Sequence, residues 1–215
     1  MQLFWHGYSS IRIESKSADS EVSVVTDPYQ NEASLRFPRT LEPDVLVLSH
    51  QDQKRFNIEG VGNAPFIVSD PGECEIKNVF IQGIQDREIE AGTKFRPVVY
   101  RIVVENIALA FLGQINRRLT DYELEELSNI DILLLPVGGG DVMSAKTAHE
   151  TIKEVDPRIV VPLYFSLPGI KVELASVDAF CKELGVCKRE DMNKLKLTKK
   201  DLPADEMSVM VLERV

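Results

Sequence analysis

Histidine, cysteine and positive charge are all in short supply in this chain. Its 215 residues hold three histidines (His6, His50 and His149) and three cysteines (Cys74, Cys181 and Cys187), with no C-x-x-C or H-x-x-x-H spacing among them. A site with two zinc ions, each wanting about three imidazole or thiolate ligands, is not readily built from that stock. Lys and Arg number 25 against 34 Asp and Glu, a net charge of −9. With no overall basic field to hold a phosphate backbone, nucleic acid is not an expected partner. No stretch approaches the roughly 18 uninterrupted apolar residues of a membrane-spanning helix, so no membrane partner is expected either. The opening, Met1-Gln2-Leu3-Phe4-Trp5-His6-Gly7-Tyr8, lacks both the basic and the apolar region of a signal peptide. An odd number of cysteines, each inside or beside an apolar segment, reads as reduced thiols used in packing. A cytoplasmic location is the expectation that follows.

What is present, 44% hydrophobic and 27% charged residues without a low-complexity linker or repeat, describes one domain over residues 1–215. Its first half reads as strands. Residues 2–5, 10–14 and 21–26 are short runs rich in aromatic, Ile and Val residues, with the polar stretch 15–20 as a hairpin turn. Residues 44–49, Asp-Val-Leu-Val-Leu-Ser, are apolar without alternation, which predicts a central strand buried on both faces. Residues 65–68, 78–82, 97–105 and 107–112 continue the pattern, with Glu105-Asn106 as a tight turn.

The second half alternates helix and strand. Thr120 and Glu123 have capping-box spacing and open a helix to about residue 128, followed by a buried strand over 130–136. Ser144 caps a helix with Ala148, Ile152 and Val155 on one face; Pro157 marks its end before a strand at 158–161. Val177, Phe180, Cys181 and Leu184 make a third helix stopped by Gly185. Strands at 194–197 and 207–212 close the chain.

In α/β proteins the loops beyond the carboxyl ends of buried strands carry most sites. Polar groups cluster in four such loops: residues 49–57, residues 113–118, Gly138-Gly139-Gly140-Asp141, and Leu163-Tyr164-Phe165. Around them run Trp5-His6-Gly7-Tyr8-Ser9, Thr26-Asp27-Pro28, Val45-Leu46-Val47-Leu48-Ser49-His50, Pro71-Gly72-Glu73, Phe111-Leu112-Gly113, Leu133-Leu134-Leu135-Pro136-Val137-Gly138-Gly139 and Arg158-Ile159-Val160-Val161-Pro162-Leu163-Tyr164. In that order they resemble the metallo-β-lactamase-fold superfamily over nearly the whole chain. More narrowly, they are similar to its small bacterial branch of zinc-dependent hydrolases related to the L-ascorbate-6-phosphate lactonases.

The resemblance implies an α/β fold, a four-layer αββα sandwich with mixed sheets and a metal site along one edge. It also implies where ligands belong. The family's His-x-His-x-Asp-His motif reads His50-Gln51-Asp52-Gln53-Lys54-Arg55 here, so only the first histidine survives. A further histidine falls near Glu88, the bridging aspartate falls at Gln114, and the final histidine falls at Tyr164. Tyr8 takes a position that is histidine in many relatives; Asp27 matches, as a supporting or turn-stabilising carboxylate rather than a ligand. His50 and Asp52 make two ligands where zinc wants three or four. An ammonium about 4 Å from a divalent cation is repelled by about 8 kcal/mol at an effective dielectric of about 20. That approaches the roughly 10 to 16 kcal/mol of structural zinc binding.

The expectation is therefore a remodelled pocket of His50, Asp52, Lys54, Arg55, Gln114 and Tyr164, with no metal, no cofactor and no catalytic residue. Lys54 and Arg55 would occupy the vacated cation space and pair with Asp52 and Glu88. Arg117 and Arg118, with Lys54 and Arg55, would form a basic mouth for a small anionic ligand, or else be solvated surface charges. His50 reads equally as a histidine ending a buried strand, His149 as a surface residue, and the glycine run as a turn bringing backbone close to the old site. Functionally this is a hydrolase homologue serving as a non-catalytic binding or scaffold protein. One rival is a weakly metal-dependent hydrolase, phosphodiesterase or lactonase, with a mononuclear site at His50, Asp52 and Glu88 or Glu73. Another is a structural subunit whose site is plugged by Tyr164, Lys54 and Arg55.

Overall fold

Alternation along the early strands divides two cores. In the computed structural model, which describes residues 1–16, 21–32, 34–63, 65–86, 96–170, 172–185, 187 and 192–215, strands β1 (Gln2–Gly7), β2 (Ser10–Lys16), β3 (Glu21–Thr26), β4 (Val45–Val47), β5 (Phe66–Val68) and β12 (Leu195–Lys196) form one sheet. Its order is β12-β1-β2-β3-β4-β5, antiparallel through β3 and parallel from β3 to β5. Val22, Val24, Val45 and Val47 face the main core, whereas Val25, Leu46 and Leu48 point to the opposite face. This period of two is what a pleated strand imposes, and with a core on each face it explains why residues 45–48 carry no polar position.

The second sheet takes the order β13-β11-β10-β9-β8-β7-β6. Its members are β6 (Gly72–Ile76), β7 (Val79–Ile84), β8 (Val99–Val104), β9 (Ile107–Phe111), β10 (Ile132–Pro136), β11 (Ile159–Leu163) and β13 (Ser208–Val209). The predicted turn at Glu105 and Asn106 is present, with both residues at positive φ (52° and 60°), the mirror-image geometry that tight hairpins favour. Helices α1 (Asp121–Glu126), α2 (Ala145–Val155) and α3 (Val177–Leu184) belong to the second half of the chain. Thr120 and Glu123 close a capping box, Ser144 caps α2, and Gly185 ends α3 in the left-handed conformation.

The outer face of the first sheet is covered without an α-helix. Tyr29, Leu35, Phe37 and Leu41, on the long connection from β3 to β4, pack there with Phe56 and Val61, which follow two short 3-10 turns. The layer order is that of the αββα sandwich, with irregular chain in one outer layer. Two further differences from expectation have physical causes. Strand β6 is an edge strand with Glu73 and Glu75 exposed, so its sequence carries no buried run to announce it. Cys181 and Cys187 are joined in a disulfide rather than being reduced packing residues; the turn at Gly185 brings the chain back beside α3, with their Cα atoms 5.4 Å apart. Cys74 is a free thiol. Among the described residues no helix is long and apolar enough to cross a membrane.

Candidate functional site

The carboxyl ends of β3, β4, β9 and β11 converge on a buried aspartate. Asp27 follows β3 at a φ of 35° and is sealed from solvent. Its Oδ1 accepts the Ser49 backbone N–H at 2.7 Å, and its Oδ2 accepts the hydroxyls of Ser49 (2.6 Å) and Ser9 (2.8 Å). The nearby Gln114 side chain also favours its charged form. Burial outweighs these donors and pushes the Asp27 carboxyl up to about 6. Gly113, at φ 58°, lets β9 come this close: a Cβ there would lie 2.0 Å from the Ser49 Cβ. Gly138 serves the same purpose one strand over, where a Cβ would lie 2.2 Å from the Tyr164 carbonyl oxygen.

His50 ends the β4 segment and is bridged to Pro97 across the two sheets, near where the Tyr100 hydroxyl donates to the Leu48 carbonyl at 2.7 Å. The Asp52 backbone N–H donates to His50 Nδ1 at 2.9 Å. A nitrogen that accepts cannot carry the proton, so the neutral ring holds its hydrogen on Nε2. Burial, then the positive charge of Arg55, lowers the imidazole below its ordinary value and keeps it neutral, against the pull of Asp52.

Asp52, Lys54 and Arg55 are exposed on the 3-10 turn Gln53–Arg55. The expected ion pair of Asp52 with Lys54 does not form; Asp52 caps the turn and takes the Lys54 backbone N–H at 3.2 Å. The charge of the exposed Arg55 is felt at both His50 and Tyr164. Tyr164, at φ 52°, packs against Tyr8 with ring centroids 4.9 Å apart and planes tilted by 42°. Burial and the nearby carboxylates Asp27 and Asp141 push its phenol up to about 12, so it is a neutral donor. Glu88 lies outside the described residues, and Glu73 is exposed on the edge strand β6.

The basic mouth loses two of its four members. Arg117 forms a two-bond pair, both at 2.8 Å, with the buried Glu123, and Arg118 pairs with Glu154. His149 is half-buried and lies 3.8 Å from Glu183, linking α2 to α3. His6 is buried beside Phe37 and is lowered to about 4 by burial and then by the Arg12 charge. Sequence reasoning did not single out Ser49 as a donor to Asp27; the pairing of β3 with β4 is the signal that brings the two together.

The donor set does not fit a zinc centre. A metal-bound imidazole donates through its second nitrogen, whereas the second nitrogen of His50 accepts. Tyr164 is a neutral phenol, and among the described residues no group of three His, Cys, Asp or Glu side chains is placed to hold a metal ion.

Comparison with known proteins is consistent with the fold. Residues 2–164 match the beta-lactamase superfamily domain. A UPF0173 protein of Pyrococcus abyssi is 25% identical over 209 residues, covering 86% of this chain and 90% of its own. A UPF0173 metal-dependent hydrolase of Methanopyrus kandleri is 21% identical, covering 86% and 94%. These archaeal relatives extend the likeness beyond the bacterial branch. Among solved structures, a metallo-beta-lactamase superfamily protein of Thermotoga maritima superposes with a TM-score of 0.79 at 25% identity over 99% of both chains. Strand order, the buried Asp27 and the matched span make this chain a member of the metallo-β-lactamase superfamily.

Proposed function

We propose that this member of a metal-dependent hydrolase family is a non-catalytic binding protein that holds a small anionic ligand in the remodelled pocket. The observation that carries the proposal is the hydrogen bond from the Asp52 N–H to His50 Nδ1. It turns the surviving family histidine into a donor on its Nε2 side, where a hydrolytic metal would need a lone pair. The charge of Arg55, the ammonium of Lys54 and the neutral Tyr164 phenol then favour an anion where the family holds cations. Arg55 is the principal contact and Asp27 a buried anchor for the loops.

A second reading, a hydrolase with a reduced mononuclear site, draws support from the relatives named as metal-dependent hydrolases. Assays of an activated phosphodiester and a lactone with added Mn²⁺ or Zn²⁺ separate the two. The binding reading expects no turnover above the metal ion alone. Metal-dependent turnover that disappears in His50→Ala would establish the hydrolase instead.

A further inference from the structure

Beyond this pocket, on the far side of Tyr8, lies a second cavity of about 590 Å³ lined by Asn31, Glu32, Arg36, Phe37 and Arg39. Another of about 450 Å³ adjoins it and shares Asn31 and Arg39. The loop that forms them is held in place: the Glu32 N–H donates to the Leu35 carbonyl, the Phe37 N–H to Asn31 Oδ1, and the Tyr29 hydroxyl to the Arg36 carbonyl.

Two features of the lining suit a ligand that carries both charges. Arg12, Arg117, Arg118 and Arg158 each have a carboxylate within 4 Å. Among the described residues Arg36 and Arg39, like Arg96, Arg101 and Arg214, have none, and these two both line the cavity. Beside them, Glu32 Oε1 accepts the Tyr8 hydroxyl at 2.6 Å, while Oε2 is buried with no hydrogen-bond partner among the described residues. A buried carboxylate oxygen without a donor is costly, and a bound donor removes the cost.

We infer that this cavity is a binding site for a small amino-bearing anion. Arg36 and Arg39 hold its phosphate or carboxylate, and Glu32 Oε2 accepts from its ammonium. Guanidinium forks match both oxyanions, and Glu32 supplies the opposite charge for the other end.

Calorimetric titration of the whole chain at low salt, with phosphoethanolamine, β-alanine and inorganic phosphate as probes, tests this. Phosphoethanolamine or β-alanine is expected to bind saturably, and Arg36→Ala or Arg39→Ala to weaken it by about tenfold or more, the worth of one charge-assisted contact. The two arginines are exposed, so neither variant disturbs the core. Glu32→Gln keeps an acceptor for Tyr8 and is expected to remove the advantage of phosphoethanolamine over phosphate. Comparing the two amino-bearing probes shows whether phosphate or carboxylate is preferred. No saturable binding at millimolar probe overturns the inference. Binding lost in Arg55→Ala but unchanged in Arg36→Ala and Arg39→Ala also overturns it, by assigning the anion to the remodelled pocket and leaving the proposed function standing.

Discussion

The Tyr164 backbone N–H donates to the Tyr8 carbonyl at 3.0 Å, and the two rings pack against each other with centroids 4.9 Å apart and planes tilted by 42°. Both residues occupy positions where metal-binding relatives are expected to carry histidine. Side chains that would converge on a cation instead contact each other, and Tyr8 turns its hydroxyl away to Glu32.

Asp27 makes stability fall as pH rises toward 6, against His6, whose lowered imidazole acts in the opposite sense. Its carboxyl rises from 3.8 unfolded to about 6 folded. The folded state therefore holds this proton more tightly, and the associated stability, about 3 kcal/mol, is present below about pH 4 and lost as pH rises through about 6. Urea unfolding of wild type and Asp27→Asn across pH 4 to 8 checks the sign. The wild type is expected to lose stability relative to the variant through that window; parallel curves would contradict the assignment.

Gly113 is irreplaceable on steric grounds. With φ at 58° and Ser49 in the way, Gly113→Ala is expected to cost about 3 kcal/mol or more in urea unfolding, combining backbone strain with overpacking.

Arg117 and Arg118 are adjacent but energetically unlike. Glu123 has no exposed side-chain surface, so Arg117→Ala leaves a buried charge unpaired and is expected to cost about 3 to 5 kcal/mol. The Arg118 pair is open to solvent, and Arg118→Ala is expected to cost less than about 1 kcal/mol. Equal losses would show that Glu123 finds another partner.

The disulfide predicts a thiol count. Without reductant the denatured chain should show one reactive thiol, Cys74, and after reduction all three cysteines. Closing so short a loop between Cys181 and Cys187 is expected to contribute about 2 kcal/mol, read from the unfolding of a Cys181→Ser, Cys187→Ser variant.

Local chemistry was legible in the sequence wherever one segment decides its own geometry. The Glu105-Asn106 turn, the Thr120 capping box and the Gly185 stop are of this kind. Strand β6 was not, because its exposed glutamates hide an edge strand, and neither was the layer of residues around Leu35 and Phe37, which follows no period. At the site, the resemblance marks His50, Asp52, Lys54, Arg55, Gln114 and Tyr164 as the positions to inspect. The gathering of Ser9 and Ser49 around Asp27 depends on how backbones from separate strands meet, which no single segment encodes. Arg36, Arg39 and Glu32 lie on the connection from β3 to β4 and carry no motif.

The central claim is that the family's metal chemistry has been replaced at His50 and its neighbours. Metal content of the native chain, purified without chelator and measured by mass spectrometry, tests it most directly. The account predicts zinc, manganese and iron all well below one ion per chain; a stoichiometric amount of any of them that is lost in His50→Ala would contradict it.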